Sequence, residues 1–179
     1  MSKLTPFLTA EQIDQLNDKL AADISRDYGK LLKADESLLV IVTLKGALFF
    51  AADLMRKITV PLKIDFVRLS SYGSGTKSSG TVRILKDIES SVAGQHVLVL
   101  DEIVDSGRTL HFLMDRLRAE KPASIRLGAL LSKPSRREIE VDVQYLGREV
   151  EDHFLVGYGL DYAENYRNCG AIYILDLGA

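Results

Sequence analysis

The fold is decided by residues 97–110, Val97-Leu98-Val99-Leu100-Asp101-Glu102-Ile103-Val104-Asp105-Ser106-Gly107-Arg108-Thr109-Leu110. This stretch opens with four apolar residues, two of them β-branched, a composition typical of a strand that is buried on both faces. Two adjacent carboxylates and a short loop follow, and apolar residues then recur at helical spacing at Leu110, Leu113, Met114 and Leu117. The stretch therefore predicts a strand, an acidic loop and a helix in direct succession.

This succession suits the binding of a phosphate group. The first N–H groups of a helix have no partner within it, and Gly107 allows the main chain to approach an anion closely. Ser106 and Thr109 add hydroxyl donors at the same end. The neighbouring carboxylates are unsuited to phosphate, so we expect them to bind another partner: sugar hydroxyls, a metal ion or a proton of the substrate.

Composition indicates an ordinary soluble globular protein. The 179 residues predict a single domain over 1–179, with 46% hydrophobic and 27% charged residues. A formal charge of −2 gives no general attraction to nucleic acid or to an anionic membrane. No run approaches the roughly 20 apolar residues that span a bilayer, and residues 1–6 lack the apolar core of a signal peptide. With one cysteine, Cys169, we expect no internal disulfide and a cytoplasmic location.

Outward from the central stretch, the sequence alternates helices and strands. Thr9 and Gln12 have the spacing of a capping box ahead of a helix predicted over residues 10–33. The apolar runs 38–44 and 124–131 predict central strands. We expect the remaining elements at 47–55 (helix), 62–69 (strand), 81–88 (returning strand) and 172–175 (a strand that closes the sheet).

Two lysines directly follow predicted central strands. Lys45 precedes Gly46 at the end of the first strand, and Lys133 precedes Pro134 at the end of the second. Such lysines are most often ordinary surface charges. At the carboxyl edge of a parallel sheet, however, Lys133 would point into the crevice in which α/β proteins bind their ligands.

A loop rich in glycine and serine covers residues 70–80 and contains almost nothing to bury. It lacks the Gly-x-x-x-x-Gly-Lys spacing of a P-loop. Loops of this length inside compact domains are usually functional or disordered. We predict a mobile lid in which Ser71 and Tyr72 close over a reacting centre; the alternative is a plain hairpin tip.

Two segments resemble the type I phosphoribosyltransferases. Residues 101–107 are similar to the signature of that family, two acidic residues, two apolar residues and Asp-Ser/Thr-Gly, through which its members bind 5-phosphoribosyl-1-pyrophosphate (PRPP). Residues 156–162, Val-Gly-Tyr-Gly-Leu-Asp-Tyr, followed by Arg167, resemble one branch, the hypoxanthine-guanine phosphoribosyltransferases. Matching segments occur in the right order from Leu44 to Arg167, so the resemblance spans most of the chain.

The resemblance implies an α/β fold of the type I phosphoribosyltransferase class. Its features would be a central, mostly parallel sheet flanked by helices, a flexible hairpin lid and a small hood formed by the termini. The implied function is purine salvage, a Mg²⁺-dependent transfer of phosphoribosyl from PRPP to hypoxanthine or guanine that yields IMP or GMP and pyrophosphate. We expect these small molecules as partners, no nucleic acid or membrane, and a homodimer or homotetramer.

The resemblance also implies a role for each matching residue. The expected PRPP ribose and 5-phosphate residues are Asp101, Glu102, Asp105, Ser106, Gly107, Arg108 and Thr109. The pyrophosphate residues are Lys45, Gly46 and Arg167, with a cis peptide bond between Lys45 and Gly46. The purine would meet Lys133 at its 6-oxo group, the ring of Phe154 and the main chain of Leu155, and Mg²⁺ would meet Asp161. Asp105 is our candidate for the group that accepts the purine proton.

One departure and two alternatives accompany this hypothesis. The acidic pair is Asp101-Glu102, whereas most of the family has Glu before Asp, so the reach of each carboxylate differs by one methylene. A xanthine-preferring relative would differ only in contacts at the purine 2-position. An RNA-binding regulator of pyrimidine genes would share the PRPP loop, but the dispersed Lys and Arg residues and the purine-type block 153–167 argue against it.

Overall fold

The computed structural model of the chain describes residues 3–71 and 82–178. The helices and strands of this part are, in chain order, β1 (Lys3–Leu8), α1 (Ala10–Gly29), β2 (Leu38–Leu44), α2 (Leu48–Met55), β3 (Leu62–Ser71), β4 (Val82–Lys86), β5 (His96–Val104), α3 (Arg108–Ala119), β6 (Ser124–Ser132), β7 (Tyr145–Glu149), β8 (Leu155–Val156) and β9 (Ile172–Asp176). A short 3-10 helix, Pro134–Arg136, follows β6.

The larger of two sheets has the strand order β4-β3-β2-β5-β6-β7. Its strands are parallel except β4, which pairs antiparallel with β3. Parallel neighbours need crossover connections, and α2 and α3 supply two of them. This mostly parallel sheet with flanking helices confirms the predicted fold class, and it brings the carboxyl ends of β2, β5 and β6 to one edge.

The central strands are apolar throughout because both of their faces are covered. In β2, Val40 and Val42 belong to the core cluster that includes α1 and α2, whereas Leu39 and Ile41 belong to the cluster on the α3 side. β5 alternates between the same two clusters. The uninterrupted apolar runs of these strands therefore reflect burial on two sides rather than one.

The predicted capping box of α1 is confirmed. The Gln12 main-chain N–H donates to Thr9 Oγ1 at 3.2 Å, and the Thr9 main-chain N–H donates to Gln12 Oε1 at 3.0 Å. The predicted end of this helix at residue 33 is wrong, because α1 ends at Gly29. The Lys30 main-chain N–H donates to the carbonyl oxygens of Asp27 and Tyr28. A tight turn therefore replaces the last predicted helical turn.

β5 extends to Val104, paired with β6 as far as Ser132, so Asp101 and Glu102 lie near the end of the strand and residues 105–107 form the loop. One expectation about strands is wrong. The strand near residues 172–175 does not close the large sheet. It pairs with β1 and β8 in a separate antiparallel sheet with the order β1-β9-β8, which forms the hood.

The predicted lid lies largely outside the described residues. β3 ends at Ser71, and Tyr72 and the rest of the predicted lid belong to the range that is not described. Within residues 3–71 and 82–178, no helix combines the length and apolar character that crossing a membrane requires.

Candidate active site

The carboxyl edge of the larger sheet carries most of the predicted site residues. Lys45 and Gly46 directly follow β2, residues 105–107 follow β5, and Lys133 follows β6. Because these strands are parallel, their carboxyl ends open onto the same crevice, the usual ligand position in open α/β sheets.

The segment 157–167, which follows β8, contacts this edge. A methyl group on Gly159 would overlap the carbonyl oxygen of Gly46, and a methyl group on Gly46 would overlap the carboxyl group of Glu102. Only glycine permits so close an approach at these two positions. The structure thus brings together one loop from the large sheet, one carboxylate of β5 and the segment beside the hood.

The acidic pair of β5 lies next to Thr43 of β2. The Thr43 hydroxyl lies 2.5 Å from Asp101 Oδ1 and 3.1 Å from the Leu100 carbonyl oxygen, and the Glu102 main-chain N–H donates to Asp101 Oδ1 at 3.2 Å. Burial raises the pKa of Asp101, and burial together with the Asp101 charge raises the pKa of Glu102 well above its usual range. The pair therefore favours a cation or hydrogen-bond donors as its partner.

The loop between β5 and α3 leaves the start of the helix open. Gly107, with φ of +84°, precedes the helix and has no side chain to cap it, and the Arg108 main-chain N–H donates to Ser106 Oγ at a long 3.4 Å. The Ser106 carbonyl oxygen accepts the main-chain N–H groups of Glu138 (2.9 Å) and Ile139 (3.0 Å), so a neighbouring segment holds the loop in place. The Arg108 side chain pairs with Glu138, Nε to Oε2 at 2.6 Å. An anion here would therefore meet main-chain N–H groups.

Two arginines hold Asp105, the predicted proton acceptor. Arg136 Nε lies 2.8 Å from Asp105 Oδ1, and Arg137 Nη1 donates to the Asp105 carbonyl oxygen at 2.8 Å. Arg137 Nη2 also donates to Ser132 Oγ at 2.7 Å. Neither arginine is among the residues predicted from the sequence. Their position two and three residues after Pro134, close behind the predicted Lys133, is the signal in the sequence that pointed to them.

A buried cation after β6 contacts the main chain of the residue that precedes an exposed aromatic ring. Lys133 is 7% exposed, and its Nζ donates to the His153 carbonyl oxygen at 2.6 Å and lies 3.4 Å from Asp152 Oδ1. Phe154 is 46% exposed and packs edge-on against Tyr162, with the ring centroids 5.7 Å apart. A large exposed aromatic beside a buried lysine suits a flat ligand that carries a hydrogen-bond acceptor. Leu155, by contrast, is buried in β8.

The predicted pyrophosphate and magnesium residues form one cluster of ion pairs. Arg167 Nη2 lies 2.7 Å from Asp161 Oδ1, and Lys45 Nζ lies 2.8 Å from Glu164 Oε2. The hydrogen bond from Lys45 lowers the pKa of Glu164. Glu164 is not among the residues predicted from the sequence. The cis peptide bond at this loop joins Leu44 to Lys45, so its expected position between Lys45 and Gly46 is wrong by one residue.

The carboxylates of this cluster fit a metal that relies on its substrate for ligands. The described residues contain no group of three or more His, Cys, Asp or Glu side chains that would hold a metal on their own. Asp161 Oδ2 accepts the Glu164 main-chain N–H at 2.8 Å, and each of the Asp161 oxygens keeps a further lone pair. One carboxylate together with substrate oxygens and water is a donor set typical of Mg²⁺.

The contact between Gly159 and Gly46 generates a prediction about stability. Gly159→Ala places a methyl group against a main-chain carbonyl at a φ of +99°, so both overlap and backbone strain oppose it. We expect the free energy of unfolding, measured in urea, to fall by about 2 kcal/mol or more. Gly170→Ala is the matched control, because nothing lies within 4 Å of its Cβ position. Equal stability of the two variants would contradict the contact.

Comparison with known proteins gives a family for this chain. The family model described as the phosphoribosyl transferase domain matches residues 7–163. The hypoxanthine-guanine phosphoribosyltransferase of Mycobacterium bovis is 45% identical over 171 residues, which are 95% of this chain and 85% of that protein. The hypoxanthine phosphoribosyltransferase of Haemophilus influenzae is 44% identical over 154 residues, which are 86% of this chain and 85% of that protein.

A solved structure agrees with these relatives in fold. The crystal structure of a hypoxanthine-guanine phosphoribosyltransferase from Bacillus anthracis has a TM-score of 0.87 and 40% sequence identity to this chain. The match covers 96% of this chain and 99% of that one, so the likeness extends to the hood as well as the large sheet. The chain therefore belongs to the phosphoribosyltransferase family, within its hypoxanthine-guanine branch.

Proposed function

We propose that the protein transfers the phosphoribosyl group of PRPP to hypoxanthine or guanine and releases pyrophosphate. The observation that carries the proposal is the convergence, in one crevice, of a buried lysine beside an exposed aromatic ring, an acidic pair and two groups of anion-binding elements. Each corresponds to one part of the two substrates: the 6-oxopurine, the ribose, the 5-phosphate and the diphosphate.

The sugar and the leaving group need charges of opposite sign. As the bond from the anomeric carbon to pyrophosphate breaks, positive charge develops on the ribose ring and negative charge on the departing oxygens. Asp101 and Glu102 would accept hydrogen bonds from the ribose hydroxyls, and their negative charge would favour the cationic ring. Lys45 and Arg167 would stabilise the pyrophosphate after exchanging their carboxylate partners for it.

Mg²⁺ completes this proposal as a cofactor held by Asp161 and by oxygens of PRPP. When bound, it neutralises charge on the diphosphate. Asp161 already forms an ion pair with Arg167, so the Arg167 guanidinium and the metal would both lie close to the diphosphate. The open end of α3 would hold the 5-phosphate through main-chain N–H groups.

The purine would lie between Phe154 and the proton acceptor Asp105. Lys133 uses two of its three N–H groups in the chain, so one remains for the 6-oxo group of the base. The ring nitrogen of the purine attacks the anomeric carbon, and the proton that the purine loses passes to the Asp105 carboxylate. An adenine amino group would place a donor against a donor and would be rejected.

The proposal predicts a definite order of purine substrates. With PRPP and Mg²⁺ present, we expect nucleotide formation from hypoxanthine and guanine, and at least about 100-fold slower formation from adenine, because of the unpaired donors at Lys133. Absorbance of the nucleotide products, with each base in turn, measures it. Faster turnover of xanthine than of guanine would move the assignment to the xanthine-preferring relatives, and turnover of adenine alone would contradict it.

The proton acceptor is tested by Asp105→Asn. General-base catalysis contributes about 10²–10⁴-fold, so we expect kcat to fall at least 100-fold, while the KM for PRPP changes little because the main chain of the loop is retained. Asp35→Asn is the matched control, since Asp35 is exposed and precedes β2, at the end of that strand opposite the crevice. An unchanged kcat in Asp105→Asn would show that another group takes the proton.

We also propose that copies of the chain associate, and that they do so in the cytoplasm. Phe50 is buried in the core, whereas Leu48, Phe49 and Ile64 are 39–48% exposed and leave an apolar surface on α2 and β3. Such a surface is typical of a contact between subunits.

The association predicts a mass by light scattering that is a multiple of 19.9 kDa. Ile64→Lys is expected to lower that mass, because a lysine in the contact would lose its hydration. Leu177→Lys, at a residue that is 51% exposed outside α2 and β3, serves as the control and should leave the mass unchanged. A wild-type protein that sediments as a single chain would contradict the proposal.

A further inference from the structure

Tyr158 belongs to the segment 157–167, but its side chain joins a buried polar network away from the crevice. The residue is 7% exposed. Its hydroxyl oxygen lies 2.7 Å from Asp53 Oδ2 on α2 and 3.0 Å from Asn17 Nδ2 on α1. One hydroxyl group therefore connects this segment to two helices that are distant in the sequence.

The directions of these hydrogen bonds follow from the chemistry of the groups. The Asp53 carboxylate only accepts, so the Tyr158 hydroxyl donates to it and accepts from the Asn17 amide. Burial, together with the hydrogen bond to Asp53, raises the pKa of Tyr158 and keeps its hydroxyl protonated. Asn17 Oδ1 is buried and has no hydrogen-bond partner among the described residues.

A network of this kind specifies position more than it stabilises the fold. The unpaired oxygen of Asn17 opposes folding, and apolar side chains of similar volume would avoid that loss. The two hydrogen bonds to the Tyr158 hydroxyl, however, fix both the position and the orientation of this side chain. Apolar packing specifies the orientation less narrowly. We therefore look for the role of the network in the segments of the chain that Tyr158 positions.

Tyr158 is next to the elements that form both sides of the proposed diphosphate site. The N–H of the following residue, Gly159, donates to the Arg167 carbonyl oxygen at 3.0 Å, and Arg167 Nη1 donates to the Gly159 carbonyl oxygen at 2.7 Å. On the other side, α2, which carries Asp53, begins two residues after Gly46. The network thus links the two loops at a second point, apart from their direct contact.

We propose that Tyr158 is a positioning residue for the diphosphate half of the active site. Through Asn17 and Asp53, it holds the guanidinium of Arg167 in register with the Lys45–Gly46 loop. This inference rests on the proposed function, since PRPP is the ligand whose diphosphate would need both groups at once.

The purine half of the crevice has other supports. Lys133 follows β6, and the Phe154 carbonyl oxygen accepts the main-chain N–H of Leu175 in β9 at 2.8 Å. Loss of the Tyr158 hydroxyl would therefore affect PRPP and leave the purine largely unaffected. A loss of general structural integrity would affect both substrates alike.

The first test is Tyr158→Phe, which removes the hydroxyl and keeps the ring. With the purine saturating, we expect kcat/KM for PRPP to fall about fivefold or more, the scale of one lost hydrogen bond. The KM for the purine should stay within about twofold of the wild type on the same scale. Tyr173→Phe is the matched control, because the Tyr173 hydroxyl makes no hydrogen bond among the described residues.

A double variant separates positioning from stability. Asn17→Leu/Tyr158→Phe replaces both buried partners with apolar groups, so its midpoint of urea unfolding should rise above that of Tyr158→Phe alone. The PRPP defect should persist in it, because the connection to Asp53 is still missing. Recovery of PRPP kinetics together with stability would overturn the proposal, as would an equal loss for PRPP and purine in the single variant.

Direct binding separates this inference from the proposed function. PRPP is titrated in the presence of Mg²⁺ into the wild type and Tyr158→Phe by calorimetry, without any purine. Weaker binding of PRPP by the variant supports the positioning role, and equal affinity overturns it. A wild type that binds PRPP but converts no purine would refute only the proposed reaction.

Discussion

Burial of both faces of β2 and β5 is the constraint on which the site depends. A strand covered on both sides does not accept an unpaired charge without a large cost, and the residues of β5 are fully buried from Val97 to Leu100. Asp101 and Glu102 occur only where burial falls from complete to partial. The loops that follow β2 and β6 begin at the same edge of the sheet, because the strands are parallel. The polar groups of three strands thus collect in one place because the rest of the sheet excludes them.

The charges at this edge compensate one another within the chain. The pairs are Lys45 with Glu164, Arg167 with Asp161, and Arg136 with Asp105. The first and third pairs join groups from different loops, the second lies within the segment 157–167, and each contains at least one group that the proposed reaction uses. The pairs Lys45–Glu164 and Arg136–Asp105 are about half exposed. Ion pairs of that kind contribute little to stability, so a substrate anion or proton would replace them at a small energetic loss. The folded chain therefore holds its substrate-binding groups close to the geometry that the reaction needs.

The parts of the fold that depend on local pattern were predictable from the sequence. The capping box at Thr9, the doubly buried strands and the strand-loop-helix stretch each follow from residues near one another, and the structure contains all three. Arg136 and Glu164 were not predictable, because their partners are 31 and 119 positions away and only tertiary folding brings them together. The apolar run of β9 indicated a strand but not its neighbours, so its place in the hood was missed as well.

The acidic pair Asp101 and Glu102 lowers the stability of the fold that positions it. Burial raises the pKa of both carboxyl groups, and the charge of Asp101 raises that of Glu102 further. A group whose pKa is higher in the folded than in the unfolded chain contributes stability at low pH, and this contribution is lost as the pH rises through the folded pKa. At neutral pH the pair therefore destabilises the fold relative to acidic conditions. Hydroxyl donors or a cation that bind only the folded chain would restore that stability. While the crevice has no ligand, the burial of the apolar strands must offset the stability that the two carboxylates cost.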